Sequence, residues 1–298
     1  MTTVAPCAPA AGRASGRTRF QLSGLTWLVW RRHRASFRLW ILCSLALTGY
    51  LVYWHTKYQA TFAADTCCAV SRSFGFPPDV GLSVAACLLF IAPFPAGVAF
   101  GAQLFEREFT DGTFTLACTQ SASAAAWVRA KLSVPAAMVL LCVTPCAAAL
   151  TWDYRVNYSW QQNWHGIGVF DVIGPVAVAD CLVGLFLGAA SGLTWRRGGP
   201  AKGLALILVI AFKAGLFWLL PHLLPSTYTA IGPTNDLQTL VPVKAWALDS
   251  GYLNGGGQYV RYLPYSDLQP LQWIATGVCV IVCAALFVYC LRLVRRLP

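Results

Sequence analysis

Long apolar stretches separated by short polar segments dominate the chain. Six stretches reach about 20 residues, the length that an α-helix needs to cross the hydrocarbon of a bilayer. They run over about 37–54, 83–105, 132–152, 169–194, 203–223 and 271–291. The pattern predicts an all-α integral membrane protein with six transmembrane helices. These form one domain over residues 20–298, and the Ala-, Ser- and Pro-rich residues 1–19 are predicted to be a disordered tail.

Several polar residues and prolines interrupt the predicted spans. The fourth span contains Asp171 and Asp180 and is the least regular of the six. Prolines at such positions bend a membrane helix without abolishing it. The prolines inside the predicted spans include Pro93, Pro95, Pro145 and Pro175.

Composition supports a membrane location. Hydrophobic residues make up 57% of the 298 residues and charged residues only 11%, whereas soluble domains carry about 25% charged residues. Lipid must therefore cover part of the apolar surface. The net charge of +11 would suggest a nucleic-acid partner in a soluble protein, but here the basic residues cluster between apolar runs, so we expect no nucleic-acid partner.

The basic residues alternate between the two sides of the predicted bundle. Sixteen of the 22 Lys and Arg residues fall in the N-terminal segment, after spans two and four, and at the C-terminus, against five on the other side. Cytoplasmic loops are enriched in Lys and Arg. The split predicts that both chain ends lie in the cytoplasm.

The segment before span one reads FQLSGLTWLVWRRHR over residues 20–34. It places Trp27 and Trp30 ahead of a basic cluster, and both residue types favour the membrane interface. The basic cluster consists of Arg31, Arg32 and Arg34. We interpret the segment as an interfacial helix on the cytoplasmic leaflet; the alternative is that these residues only flank span one as anchors.

The longest connection, over residues 224–270, is predicted to be an outer loop. It is rich in Pro, Gly, Tyr and Asn and too polar to be a further span. Its aromatic residues favour the membrane interface, so parts of it are expected to approach the membrane.

Catalytic motifs are absent from the sequence. There is no GxxxxGK[ST] phosphate loop, no HExxH and no Gly-x-Ser-x-Gly. No Cys-x-x-Cys pair has partners that would complete a zinc site. We therefore expect no metal, no cofactor and no catalytic residue, and we interpret the histidines near the outer boundaries, His55, His165 and His222, as interfacial polar residues.

The connection between spans two and three is the most informative segment. Acidic residues end span two, where basic residues usually dominate a cytoplasmic boundary: Glu106, Glu108 and Asp111. Gly112 permits a sharp reversal, and Ser121 or Ser123 can cap the next helix. The segment is predicted to form a compact elbow in the cytoplasm. Its acidic residues could equally pair with the basic cluster of the interfacial helix.

This elbow carries a resemblance to a known family. Three motifs follow one another here: Glu-x-Glu-x-x-x-Gly-Thr-x-x-Leu from Glu106, then Gln120-Ser121, then Trp127-x-x-x-Lys131. In this order they closely resemble permease subunits of ABC-2 type transporters, the actinobacterial ones most of all. Residues 30–34 are similar to the WRxHR stretch that opens them. The chain departs from the pattern at 124–126, where three alanines replace more basic residues.

The resemblance implies a permease in a bacterial plasma membrane that pairs with a second permease chain, identical or related. A separate ABC ATPase would dock on the cytoplasmic side and drive efflux. The coupling region would then include Glu106, Glu108, Asp111, Gly112, Thr113 and Trp127. The ATP would be hydrolysed on the partner chain, and this chain would be a non-catalytic subunit.

Two charges lie inside the predicted spans. Asp180 in span four and Lys213 in span five fall at similar depths, because the two helices run in opposite directions. A lone charge at the bilayer centre costs about 3 kcal/mol or more. We expect the two residues either to form a buried ion pair or to face a polar interior separately. Because intramembrane ionisable groups mark ion paths, the alternative function is an ion-coupled carrier or an intramembrane enzyme; a plain membrane anchor is a third possibility.

Overall fold

The structure is a computed structural model that describes residues 25–64, 78–105, 124–156, 161, 164–166, 168–195, 198–224, 228–232, 244–252 and 258–296. Six long helices follow one another along this part of the chain. They are α1 (Leu25–Ala64), α2 (Pro78–Ile91), α3 (Ala124–Val156), α4 (Gly174–Trp195), α5 (Gly198–Leu219) and α6 (Leu268–Arg295).

Within the described residues, six helical segments are long and apolar enough to cross a membrane. They are Val29–Lys57, Gly81–Phe105, Ala125–Val156, Gly174–Trp195, Gly199–His222 and Tyr265–Arg295. The predicted six-helix membrane fold is thereby confirmed. The largest differences in the bounds are at the first, third and sixth spans, which all begin earlier than predicted, while the fourth begins later.

The start of α1 corrects one detail of the prediction. The described part of the segment interpreted as a separate interfacial helix, residues 25–34, runs without a break into the first span. The structure therefore favours the alternative, in which the tryptophans and arginines flank span one on the same helix. Arg31 lies over the ring of Trp27, with 5.1 Å between Cζ and the ring centroid.

Span two is irregular where its prolines lie. After α2 the chain makes one turn over Pro93–Pro95 and then a π-helical turn over Ala96–Gly101. The amide of Ala102 donates to the carbonyl of Gly97, five residues back, which is the bonding of a π-helix. Helical geometry then resumes to Phe105. By contrast, Pro135 and Pro145 lie inside α3. Pro175, predicted inside span four, lies in the first turn of α4, where proline is tolerated.

Helix α4 is the centre of the bundle. In an apolar 18-residue stretch of α4, 83% of the residues are buried, against 17% in the corresponding stretch of α6. Gly184, Gly188 and Gly192 recur every four residues on one face of α4, and each lies against backbone of span two between Pro93 and Ala102. A Cβ on Gly192 would lie 2.5 Å from the carbonyl oxygen of Ala102. Small residues at this spacing let two membrane helices approach with backbone in contact.

The predicted outer loop contains a sheet that the hydropathy pattern did not predict. Strands β1 (Tyr228–Gly232), β2 (Trp246–Tyr252) and β3 (Gln258–Leu263) pair antiparallel in the order β1-β3-β2. The register places Tyr228 opposite Tyr262 and Trp246 opposite Leu263. The indole Nε1 of Trp164 donates to the carbonyl of Lys244 at 2.8 Å. This contact joins the sheet to the α3–α4 connection, at what we call the sheet end of the bundle.

Candidate functional site

Asp180 and Lys213 meet inside the bundle. The ammonium Nζ of Lys213 on α5 donates to the carboxylate Oδ2 of Asp180 on α4. The side chain of Asp180 is 4% exposed and that of Lys213 is 9% exposed, so the pair is shielded from bulk solvent. Asp180 lies within two turns of the start of α4 and Lys213 within two turns of the end of α5. The pair is therefore nearer the sheet end than the mid-span position expected from the sequence.

A second carboxylate and an aromatic ring complete the surroundings of Lys213. Oδ2 of Asp171 lies 3.5 Å from Nζ, and Nζ is 4.3 Å from the centroid of the Phe90 ring. Oδ1 of Asp180 is buried without a hydrogen-bond partner among the described residues. Two carboxylates thus share one ammonium, which joins α4, α5 and the residues before α4, with α2 supplying the ring.

A second buried lysine joins span two to the start of α3. Lys131, only 5% exposed, donates from Nζ to the carbonyl of Leu104. The same ammonium lies 4.5 Å from the ring of Trp127 and 5.2 Å from the ring of Phe105. These two rings pack edge to face with 5.3 Å between centroids. We call this contact set the elbow base, because the predicted elbow leaves from it.

The predicted coupling residues divide between the described and undescribed parts of the chain. Trp127 is buried in the elbow base, whereas the other members lie outside the described residues: Glu106, Glu108, Asp111, Gly112 and Thr113. The basic residues Arg31, Arg32 and Arg34 are exposed on the first turns of α1. Whether the acidic residues pair with them stays a prediction.

Sequence reasoning missed one buried polar pair. His55 of α1 and Asp153 of α3 are 5% and 6% exposed, and Nδ1 of His55 lies 2.6 Å from Oδ1 of Asp153. The imidazole also stacks on Trp152, with 3.5 Å between ring centroids. The pair ties α1 to α3 near the sheet end. The available signal was a carboxylate directly after the predicted end of span three, but 98 residues separate it from its partner.

His165 lies in the connection between α3 and α4. Its ring stacks on Trp246 of β2 at 5.5 Å and meets Trp164 edge to face. Burial lowers the pKa of its imidazole below the ordinary value of 6.5, because the surrounding rings offer a cation little solvation.

We expect the stability of the protein to fall as the pH drops below about 6.5, in part through His165. Because the pKa of this imidazole is lowered in the folded state, the unfolded chain binds the proton more readily below that pH. The stabilising contribution is therefore full above about 6.5 and declines as the pH falls. Thermal unfolding of wild type and His165→Gln between about pH 7.5 and 5 should show a weaker pH dependence in the variant. His222→Gln, at an exposed histidine, is the control; equal pH slopes in wild type and His165→Gln would contradict the assignment.

The described residues contain no cluster of three or more His, Cys, Asp or Glu side chains that could hold a metal ion. The arrangement instead consists of two lysine-centred contacts that hold helices together, one near each end of the bundle. Such contacts fix the positions of the spans relative to one another.

Comparison with known families decides the class of the protein. A family described as ABC-2 membrane transporter related matches residues 39–220. The chain belongs to this family. No curated protein and no solved structure matches it significantly.

The match of this ABC-2 family member extends from within α1 to the end of α5. It therefore includes the elbow base, the Asp180–Lys213 contact and the glycine face of α4, while all three strands and α6 follow it. Together with the six apolar helices, the match makes the chain a multi-pass membrane protein of the transporter permease type.

Proposed function

We propose that this ABC-2 family chain is the membrane subunit of an ATP-driven exporter in a bacterial plasma membrane. A separate ABC ATPase supplies the energy, and a second permease chain, identical or related, completes the pathway. The family match supports the class, and the excess of Lys and Arg at the chain ends and after spans two and four supports an arrangement with both ends in the cytoplasm.

The elbow base is the observation that carries the proposed coupling route. It holds the end of span two and the start of α3 together through a cation, a carbonyl and two rings. Because the base is buried and packed, a force applied to the connection between Phe105 and Ala124 moves both helices as one unit. An ATPase that contacts this connection could thereby shift two spans with a single docking contact.

The partner is tested by affinity purification of the chain from its native membrane. We expect an ATPase with a phosphate-loop motif to co-purify, and the reconstituted complex to hydrolyse ATP faster than the ATPase alone. Purification of a fully active transporter that contains no ATPase would contradict the proposal.

Gly112→Pro tests the coupling route. We expect the complex to assemble while export falls several-fold at an unchanged basal rate of ATP hydrolysis, since proline restricts the reversal that glycine permits. Gly256→Pro, in the connection between β2 and β3, is the matched control and should leave export intact. Normal export by the Gly112→Pro complex would argue against the elbow as the coupling element.

The alternative function is an ion-coupled carrier or an intramembrane enzyme that uses Asp180 and Lys213. The two carboxylates around the one ammonium of Lys213 favour it specifically, since a proton or cation could exchange there. Transport by the purified chain in vesicles without any ATPase, driven by an ion gradient, would support this alternative.

A further inference from the structure

A long groove lies on the bundle between α3, α4 and α6. Its volume is about 650 Å³, within the range of small-molecule sites, about 300 to 1,000 Å³. Side chains such as Leu140, Ala147, Val178, Leu182 and Val280 line it. All of them come from the second half of α3 and the first halves of α4 and α6, so the groove lies in the leaflet next to the sheet end.

The dimensions of the groove match a lipid chain. From Leu140 to Arg155 the lining follows α3 for about 22 Å at 1.5 Å per residue. The hydrocarbon of one leaflet is half of the roughly 30 Å core, so the groove extends over the full depth of a leaflet. A lipid chain that enters at the membrane surface could therefore lie in it along its whole length.

The polar side chains along the groove are mostly satisfied within the protein. The hydroxyl of Thr151 donates to the carbonyl of Ala147 at 2.6 Å and accepts from the amide of Gly174 at 2.8 Å. The hydroxyl of Thr276 donates to the carbonyl of Gln272 at 2.7 Å. Because these hydroxyls are already hydrogen-bonded within the protein, the two threonines contribute mainly apolar surface to the groove and offer little to a polar ligand.

Arg155 places a positive charge at the rim of the groove. It is the basic residue in the last turn of α3 and lines the groove at the sheet end. Its side chain is exposed, and no carboxylate in the described part of the chain forms a salt bridge with it. Trp152, a residue type that favours headgroup depth, lines the groove one turn away. A guanidinium here can bind a phosphate through paired hydrogen bonds.

We propose that this groove is a binding site for an anionic phospholipid. One acyl chain lies between α3, α4 and α6, and the headgroup phosphate binds Arg155. The site would hold α3 against α6 on the face where these helices leave a gap, so that the lipid is part of the packed bundle.

A second groove on the bundle provides an internal contrast. It has a volume of about 400 Å³ between α1, span two and α3, with Trp40, Leu88 and Val143 among its lining residues. None of its described lining residues is charged. It can accommodate apolar chains, and the described lining offers no group that would distinguish an anionic from a zwitterionic headgroup.

Photolabelling in phosphatidylcholine vesicles tests the proposal. The probes are phosphatidylglycerol and phosphatidylcholine with the same photoactivatable acyl chain, and mass spectrometry maps the labelled peptides. We expect the peptides of 140–155 and 174–182 to prefer the phosphatidylglycerol probe about fivefold, the effect of one basic residue near a headgroup. Residues of the second groove should show no preference.

Three variants separate headgroup binding from other effects. Arg155→Gln should bring the preference to about one, as equal labelling, while Arg155→Lys keeps most of it. Lys57→Gln removes a charge on α1, none of whose described residues lines the groove, and should change nothing. Ala148→Trp, at an exposed residue of the groove wall, should reduce labelling by both probes without unfolding the protein.

Two outcomes would overturn the lipid site. One is equal labelling of the groove by both probes in the wild-type protein. The other is full protection of the groove peptides from both probes together with protein–protein cross-links there, which would make the groove an interface between copies of the chain.

Discussion

Gly188→Ala is expected to lower the free energy of unfolding by about 3 kcal/mol, the upper part of the usual range for overpacking. The added Cβ meets the carbonyl oxygen of Gly97 and two further backbone atoms of that residue. Backbone of a packed helix cannot rotate aside as a side chain does, so α4 and span two must separate. Equilibrium unfolding in mixed micelles measures the loss.

The chain offers a matched control for this change. Gly215 lies in α5 with open space around the position of its Cβ, so Gly215→Ala should be neutral or slightly stabilising, since alanine has the higher helix propensity. Equal stability of the two variants would contradict the close contact between α4 and span two. A larger loss for Gly188→Val than for Gly188→Ala would support it further.

Lys213→Met is expected to cost about 3 to 5 kcal/mol, the usual effect of removing one partner from a buried ion pair. The change leaves Asp180 buried beside Asp171 with no cation between them. The same equilibrium unfolding assay measures the effect, and loss of folded protein on expression would be its extreme form.

A double variant shows whether the cost arises from the unpaired charge. Asp180→Asn together with Lys213→Met removes the ammonium and its closest carboxylate, so we expect it to be more stable than Lys213→Met alone. Additive losses in the double variant would contradict the pairing. The same double variant bears on function: ATP-driven export by it would argue against the ion-coupled alternative.

The helical part of the fold could be predicted from the sequence because hydropathy alone defines a membrane helix. Each of the six spans ends within a few residues of its predicted bound. Because spans four and five run in opposite directions, the sequence was sufficient to place Asp180 and Lys213 at similar depth. The structure brings their charged atoms into contact.

Other features could not be predicted because their signal is not hydropathy. The sheet depends on pairing between β1 and β3, about 30 residues apart in register, in a region where both strand faces carry aromatic and polar residues. The His55–Asp153 contact depends on how α1 packs on α3. In contrast, the glycines at 184, 188 and 192 were visible in the sequence at helical spacing and would have predicted the close approach of α4.

The π-helical turn between Pro95 and Ala102 bears on how relatives of this chain should be aligned. Such a turn accommodates one residue more than an α-helical turn, and the helix on either side keeps its facing. The ring of Phe90 can therefore face Lys213 while the carbonyl of Leu104 and the ring of Phe105 face Lys131, whether or not the additional residue is present. A family member that is one residue shorter should have its gap within residues 96–101 and a regular helix there, with both lysine contacts conserved in space.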